Sequence, residues 1–308
     1  MKGQNLLFEP LDPKEIQIPF EVSHSLTYWQ DVWKRFKKHK IALTALLLIA
    51  LLLAFSLVGP YLKTYSYFET NLDIKNLSPS KTFWFGTDEL GRDIFTRVWM
   101  GARISFLVGV AAAIIDLVIG VIWGTTAAIF GGKVDEIMMR ISDVLYSIPY
   151  LLTVILLMVV LGAGLLTILI ALTLTGWINM SRIVRGQILQ LKECEFICAA
   201  KALGASRTRI ILRHLIPNAM GPILATMTLT IPTAIFTEAF LSFLGLGIQA
   251  TIASLGVMIS DALGAFNYFP WRLFFPALVL TVAIFALNLL GDSLRDILDP
   301  RFHNELDS

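Results

Sequence analysis

Long apolar runs alternate along the chain with shorter polar stretches rich in lysine and arginine. A helix needs about 20 mostly apolar residues to cross a bilayer. Six runs qualify, near 41–61, 103–130, 143–162, 164–181, 222–246 and 273–291. The third and fourth are separated only by LGAG, whose Gly162 and Gly164 predict a hairpin link. The pattern predicts an all-α integral membrane protein with six transmembrane helices. Lys34, Arg35, Lys37, Lys38 and Lys40 precede the first run and fix its leading end on the cytoplasmic side. Six crossings then put both termini in the cytoplasm. Residues 1–40 form a cytoplasmic segment, 41–61 the first transmembrane helix, 62–102 an extracytoplasmic segment, 103–291 a five-helix core, and 292–308 a cytoplasmic tail. Within the core, 131–142 and 182–221 face the cytoplasm and 247–272 faces outward. The 182–221 loop carries Arg182, Arg185, Lys192, Lys201, Arg207, Arg209 and Arg213, as a cytoplasmic loop should.

Composition agrees: 56% of the 308 residues are hydrophobic, 16% are charged, and the mean hydropathy is +0.71, far from a soluble domain. The net charge of +2 gives no reason to expect nucleic acid as a partner. The polar first forty residues contain no short apolar region with a small-residue cleavage site, so no cleaved signal peptide is expected. Cys194 and Cys198 stand four residues apart in the cytoplasmic loop and read as reduced, unpaired thiols. His214 has no second ligand at metal-binding spacing. There is no G-x-x-x-x-G-K-[ST] loop, no G-x-S-x-G elbow and no cluster of histidine with carboxylates, so the chain is expected to be non-catalytic, to bind no metal or cofactor, and not to hydrolyse ATP.

Inside the basic loop lies EFICAAKALGASRTRIILRHLIPNAMGP. Phe196, Ala199, Ala200 and Leu203 recur at helical spacing, Gly204 offers a left-handed cap, and Ser206 can cap a second helix that Pro217 should end. Periodicity alone leaves open whether this hairpin rests on lipid, on its own protein or on a partner. The stretch resembles the cytoplasmic loop typical of ATP-binding-cassette importer permeases: two alanines, Ala199 and Ala200, then Gly204, then Pro217 and Asn218. The resemblance implies a coupling helix that docks on an ATPase subunit, with Glu195, Phe196, Ala199, Ala200, Leu203, Gly204, Pro217 and Asn218 as its coupling residues. One departure stands out. Cys198 replaces the glutamate usual before the alanine pair, leaving Glu195, one turn earlier, as the nearest acid.

A second stretch, FWFGTDELGRDIFTRVWMGARISFLVG over 83–109, is similar to one of the two permease subunit types of the dipeptide, oligopeptide and nickel importer group. FGGKVDEIMMRISDVLYSIP, HLIPN, LSFLGLG and LNLLGDSLRDILDPR follow in the expected order, so the resemblance covers nearly everything after residue 35. It implies the type I importer permease fold in a bacterial or archaeal cell membrane. It also implies a second homologous permease subunit, two ATPase subunits holding ATP and magnesium, an extracytoplasmic binding protein, and a peptide as the substrate. Transport would proceed by alternating access. The alternatives are a nickel importer permease and an ion-coupled secondary transporter, although no inverted repeat marks the sequence.

Asp116 lies midway along the second run and Glu238 within the fifth. An ionised carboxylate there costs a few kcal/mol unless it is paired, hydrated or protonated, so neither should face lipid. Both are candidate pathway or gate residues, and a packing hydrogen bond between helices is the competing role for each, favoured for Glu238. In the outer segment, Phe83, Trp84 and Phe85 are expected to anchor at the membrane interface, and Arg92 is expected to pair with Asp88 or Asp93.

Overall fold

The computed structural model describes residues 28–247 and 253–298. Residues 1–27 of the expected N-terminal segment, 248–252 of the outer stretch and 299–308 of the tail lie outside the described residues. A short helix α1 (Tyr28–Lys38) leads into α2 (Lys40–Val58), whose first turn is closed by the His39 ring accepting the Ala42 amide. Phe36 of α1 packs on Ala42 and Ile297, so the basic segment is held against the bundle.

Helix α3 (Ile94–Phe130) has 37 residues and is therefore about 55 Å long, far more than a hydrocarbon core of about 30 Å. Residues 94–102, expected to end the outer loop, are its first turns. They stay helical because Asp93 caps the Thr96 amide at 2.8 Å and because the protein supplies acceptors for the bases that interrupt the apolar run. Arg97 donates to the Tyr67 carbonyl at 3.0 Å, and Arg103 to the Ser56 and Leu57 carbonyls at 2.9 and 2.8 Å.

The most extensive helix pair is α3 on α6 (Leu165–Lys192). Gly120 sits where an added Cβ would lie 2.6 Å from Met180, and Gly124 where one would lie 3.0 Å from Val184. Two glycines four residues apart thus form a smooth strip that lets the helices approach closely, the packing device available where lipid offers no hydrophobic driving force.

The third expected span, 143–162, is instead a broken pair. Helix α4 (Gly132–Ser147) and α5 (Tyr150–Leu161) meet at an angle of 81°. Pro149 forces the break: the preceding Ile148 is extended, with ψ of 126°, because the proline ring disfavours helical geometry there. The supposed loop 131–142 is therefore mostly helix, tied to α6 by Arg185 on Asp135 at 2.6 Å and Arg182 on Asp143 at 2.9 Å. Among the described residues five helices are each long and apolar enough to cross a membrane, and the bent pair would make the sixth crossing.

Helix α6 runs on to Lys192, beyond the expected 181, and is followed by α7 (Glu195–Ala202) and α8 (Arg207–Ile210). Pro217 does not end the second hairpin helix. A five-residue π-helical turn, Ile211–Leu215, carries α8 directly into α9 (Ile216–Phe243). The Ile216 amide reaches back to Ile211, widening the turn where the proline ring enters, and Asn218 donates its side-chain amide to the His214 carbonyl at 2.6 Å. Helices α10 (Leu255–Leu263) and α11 (Trp271–Leu298) complete the described chain.

The segment expected to lie outside folds back on the bundle. Gly86 and Gly91 take φ of +79° and +71°, and a Cβ at Gly86 would lie 2.8 Å from the Trp271 ring nitrogen. Arg92 pairs with Asp88 at 2.7 Å, and Arg272 of α11 reaches Glu89 at 2.8 Å. The aromatic anchors grip protein more than interface: Phe83 is buried, and Phe85 stacks on Phe275 at 3.9 Å, while half-exposed Trp84 carries Lys63 over its ring. Burial pushes the Asp93 carboxyl above its ordinary range, with its bonds to Thr96 opposing the shift.

Candidate functional site

Two features stand out: a projecting hairpin at the basic end and a cavity among the helices. In the hairpin, Gly204 has φ of +80°, the Ala205 amide donates to the Ala200 carbonyl at 3.0 Å and the Gly204 amide to the Lys201 carbonyl at 3.0 Å. These are the 6→1 and 5→2 bonds that close a helix through a left-handed residue. Ser206 then accepts the Arg209 amide at 3.3 Å and starts α8.

The candidate coupling residues do not face inward. Glu195, Phe196, Ala199, Leu203, Pro217 and Asn218 are exposed, Leu203 at 89%, and Ala200 is half-buried. The anchor is Ile197, fully buried with Val184 and Ile188 of α6 and with Ile210, Leu215 and Ala219. Ile197 falls outside the 196–199–200–203 stripe, and its only mark in the sequence is its alignment with Ile210 and Leu215 across the turn. Lys192 adds a second tie, donating to the Ala128 carbonyl at 2.8 Å at the end of α3, where the helix dipole favours a cation. The hairpin is thus welded on one side and bare on the other.

The cavity holds about 970 Å³. Asp116 of α3, Tyr150 of α5, Thr175, Gly176 and Asn179 of α6, and one face of α9 line it. That face carries Thr226, Thr230, Thr233 and Thr237, a period of four, three and four that was legible in TMTLTIPTAIFTEA and was not used. Asp116 is 3% exposed, and its Oδ1 has no hydrogen-bond partner.

Glu238 lies elsewhere. It is fully buried and absent from the cavity wall; its carboxylate accepts from Ser105 at 2.9 Å, Ser242 at 2.9 Å and Ser254 at 2.7 Å. It therefore fastens α9 to α3 and to the start of α10. The fold places the two carboxylates apart and gives Glu238 the packing role that its sequence context favoured.

Comparison with known proteins gives consistent answers. Residues 116–304 match the family described as binding-protein-dependent transport system inner membrane component, and residues 27–79 match the N-terminal TM domain of oligopeptide transport permease C. The chain is 57% identical over 277 residues to the oligopeptide transport system permease protein OppC of Bacillus subtilis (strain 168), covering 90% of this chain and 91% of the relative. It is 55% identical over 278 residues to the dipeptide transport system permease protein DppC of the same organism, covering 90% and 87%. Among solved structures, an inward-facing conformation of the MetNI methionine ABC transporter superposes with a TM-score of 0.53 at 20% identity, over 66% of this chain and 94% of that one, which supports the fold. The chain is a multi-pass, non-catalytic membrane protein and belongs to the binding-protein-dependent transport system inner membrane components, the permease subunits that work with separate ATPase subunits and a binding protein.

Proposed function

We propose that this chain is one of two homologous permease subunits of an importer for oligopeptides or dipeptides, and that it supplies half of the translocation pathway. Two ATPase subunits bind ATP and magnesium, and this chain binds neither. An extracytoplasmic binding protein delivers the peptide. The cavity beside the threonine face of α9 is this chain's share of the pathway, and α7 is the element that receives ATPase movement. The observation that carries the reading is the two-sided character of α7. Ile197 locks it to α6 and α9, while Phe196, Ala199 and Leu203 are bare. A rigidly mounted helix with an unpaired apolar face transmits a partner's displacement to the spans with little loss. Peptides vary in side chain, so a wall of hydroxyls and small residues suits a pathway that leaves selection to the binding protein.

Crosslinking tests the coupling role. With Cys194 replaced by serine, Cys198 is a unique label on the exposed side of α7. It should crosslink to an ATPase subunit in native membranes; adducts only to lipid or to this chain's own spans, in every nucleotide state, would refute the assignment. For the substrate, proteoliposomes of the assembled complex should accumulate labelled trialanine and not radioactive nickel when ATP is supplied. Nickel uptake without peptide uptake would exchange the two readings.

A further inference from the structure

Asp116 is the one acidic residue on the cavity wall among the described residues. It is almost wholly buried, no described residue donates to its Oδ1, and no lysine or arginine pairs with it among the described residues. The helix packed against it presents Gly176, where an added Cβ would lie 2.8 Å from both Cγ and Oδ1 of Asp116. Glycine at this point leaves room for the carboxylate and brings it no side-chain donor. The hydroxyl of Tyr150, on the same cavity, is also buried and without a partner.

The α9 face adds to this imbalance. Thr226, Thr230, Thr233 and Thr237 each donate their hydroxyl proton to the carbonyl four residues earlier, at 2.8, 3.0, 3.0 and 2.8 Å. A committed hydroxyl still has lone pairs, so this face offers the cavity acceptors and few donors. The other charged residue on the lining, Arg295, belongs to α11 and makes no ion pair with Asp116 among the described residues. A buried intramembrane acid on a cavity wall, with no cation paired to it among the described residues, is suited to a ligand that brings its own charge and several N–H groups.

We infer that Asp116, with Tyr150 and the threonine face of α9 around it, forms a cation subsite that takes the ammonium group of the passing peptide. The inference rests on the peptide reading above and deepens it. An ammonium has three donors and no acceptor, matching the Asp116 carboxylate and the threonine oxygens of α9. Such a contact is weak enough for transit because the threonine acceptors recur along α9 and the ammonium can pass from one to the next.

The test separates the subsite from the peptide reading. In assembled complex lacking Cys194 and Cys198 through serine replacement, Thr175→Cys puts a thiol next to Gly176. Its modification by a cationic and by an anionic methanethiosulfonate is timed with Asp116 and with Asp116→Asn. The cation-to-anion rate ratio should fall by about fivefold on neutralisation, as expected for a charge roughly 8 Å away across a water-like dielectric. In proteoliposomes, trialanine imported per ATP hydrolysed should fall by about tenfold in Asp116→Asn, the size of one lost hydrogen bond to a charged group, and should be substantially restored in Asp116→Glu. An unchanged reagent ratio overturns the inference, and so does a lowered ratio with unchanged trialanine import, which would assign the charge to a basic group of the second permease subunit. If the Asp116 protein imports no trialanine, the peptide reading fails while the reagent ratio still reports the cation subsite. If Asp116→Asn does not assemble, the ratio at Thr175→Cys with Asp116 present, normalised to that of free cysteine in solution, decides: cation preference supports the subsite, and its absence overturns it.

Discussion

Asp116 and Glu238 are both carboxylates deep in membrane-spanning helices, and their surroundings are opposite. Glu238 receives three serine hydroxyls drawn from α3, α9 and the turn before α10. Asp116 receives none at Oδ1 and borders open space. The lesson concerns where a partner is kept. A buried polar group whose partners lie in the same chain holds helices together, whereas one without a partner at a cavity is left to water or to a ligand. The same contrast recurs in α7, where Ile197 has its partners within the chain and Phe196 is exposed.

The largest effect should come from the satisfied acid. Glu238→Ala strands three buried hydroxyls and opens a void, for a loss of about 3–5 kcal/mol. Thermal unfolding of the purified complex should move sharply downward; a change near zero would mean the serines find acceptors elsewhere and would blur the contrast. Next is Ile197→Ala, expected to destabilise by about 2–4 kcal/mol through the cavity it leaves beneath α7. Limited proteolysis of the 195–215 hairpin should accelerate while the outer segment stays resistant. Gly176→Ala should follow at about 1–3 kcal/mol, because the new methyl collides with the Asp116 carboxylate and must push it or α6 aside. Its signature is a transport defect like that of Asp116→Asn, accompanied by a stability loss that Asp116→Asn lacks. The smallest stability changes belong to the unsatisfied positions. Phe196→Ala should stay within about 0.5 kcal/mol of the parent as an exposed position, and Asp116→Asn within about 1 kcal/mol, since no described residue donates to its Oδ1. Phe196→Ala should nevertheless reduce ATPase association in pull-down, and a large destabilisation of the isolated chain would show that Phe196 packs internally.

Features that depend on near neighbours were legible in advance. The left-handed Gly204 and the Ser206 cap follow from residues within five positions of one another, and the Arg92–Asp88 pair from residues four apart. Boundaries were less legible where distant groups intervene. Arg97 and Arg103 mark the end of an apolar run in sequence, yet carbonyls at Tyr67, Ser56 and Leu57 allow α3 to begin nine residues early, at Ile94 rather than 103. Pro217 reads as a stop and proved passable because a π-helical turn precedes it. Pro149 lies inside an apolar run and did break the helix. Local pattern does not say which proline will have relief, since that depends on the registration of the turns on either side.

By itself the sequence determined an all-helical membrane protein, the hairpin between its fourth and fifth runs and the absence of catalytic motifs. Each of these is written in periodicity, charge placement or contiguous spacing. Only the tertiary structure decided that Glu238 is a fastener and that Asp116 borders the cavity, that Ile197 carries α7, and that the outer segment is clamped by Phe275 and Arg272. The physical reason is range. A buried polar or charged group is judged by what stands within about 3 Å of it, and for Glu238 those atoms belong to Ser105 and Ser254, 133 and 16 residues away along the chain.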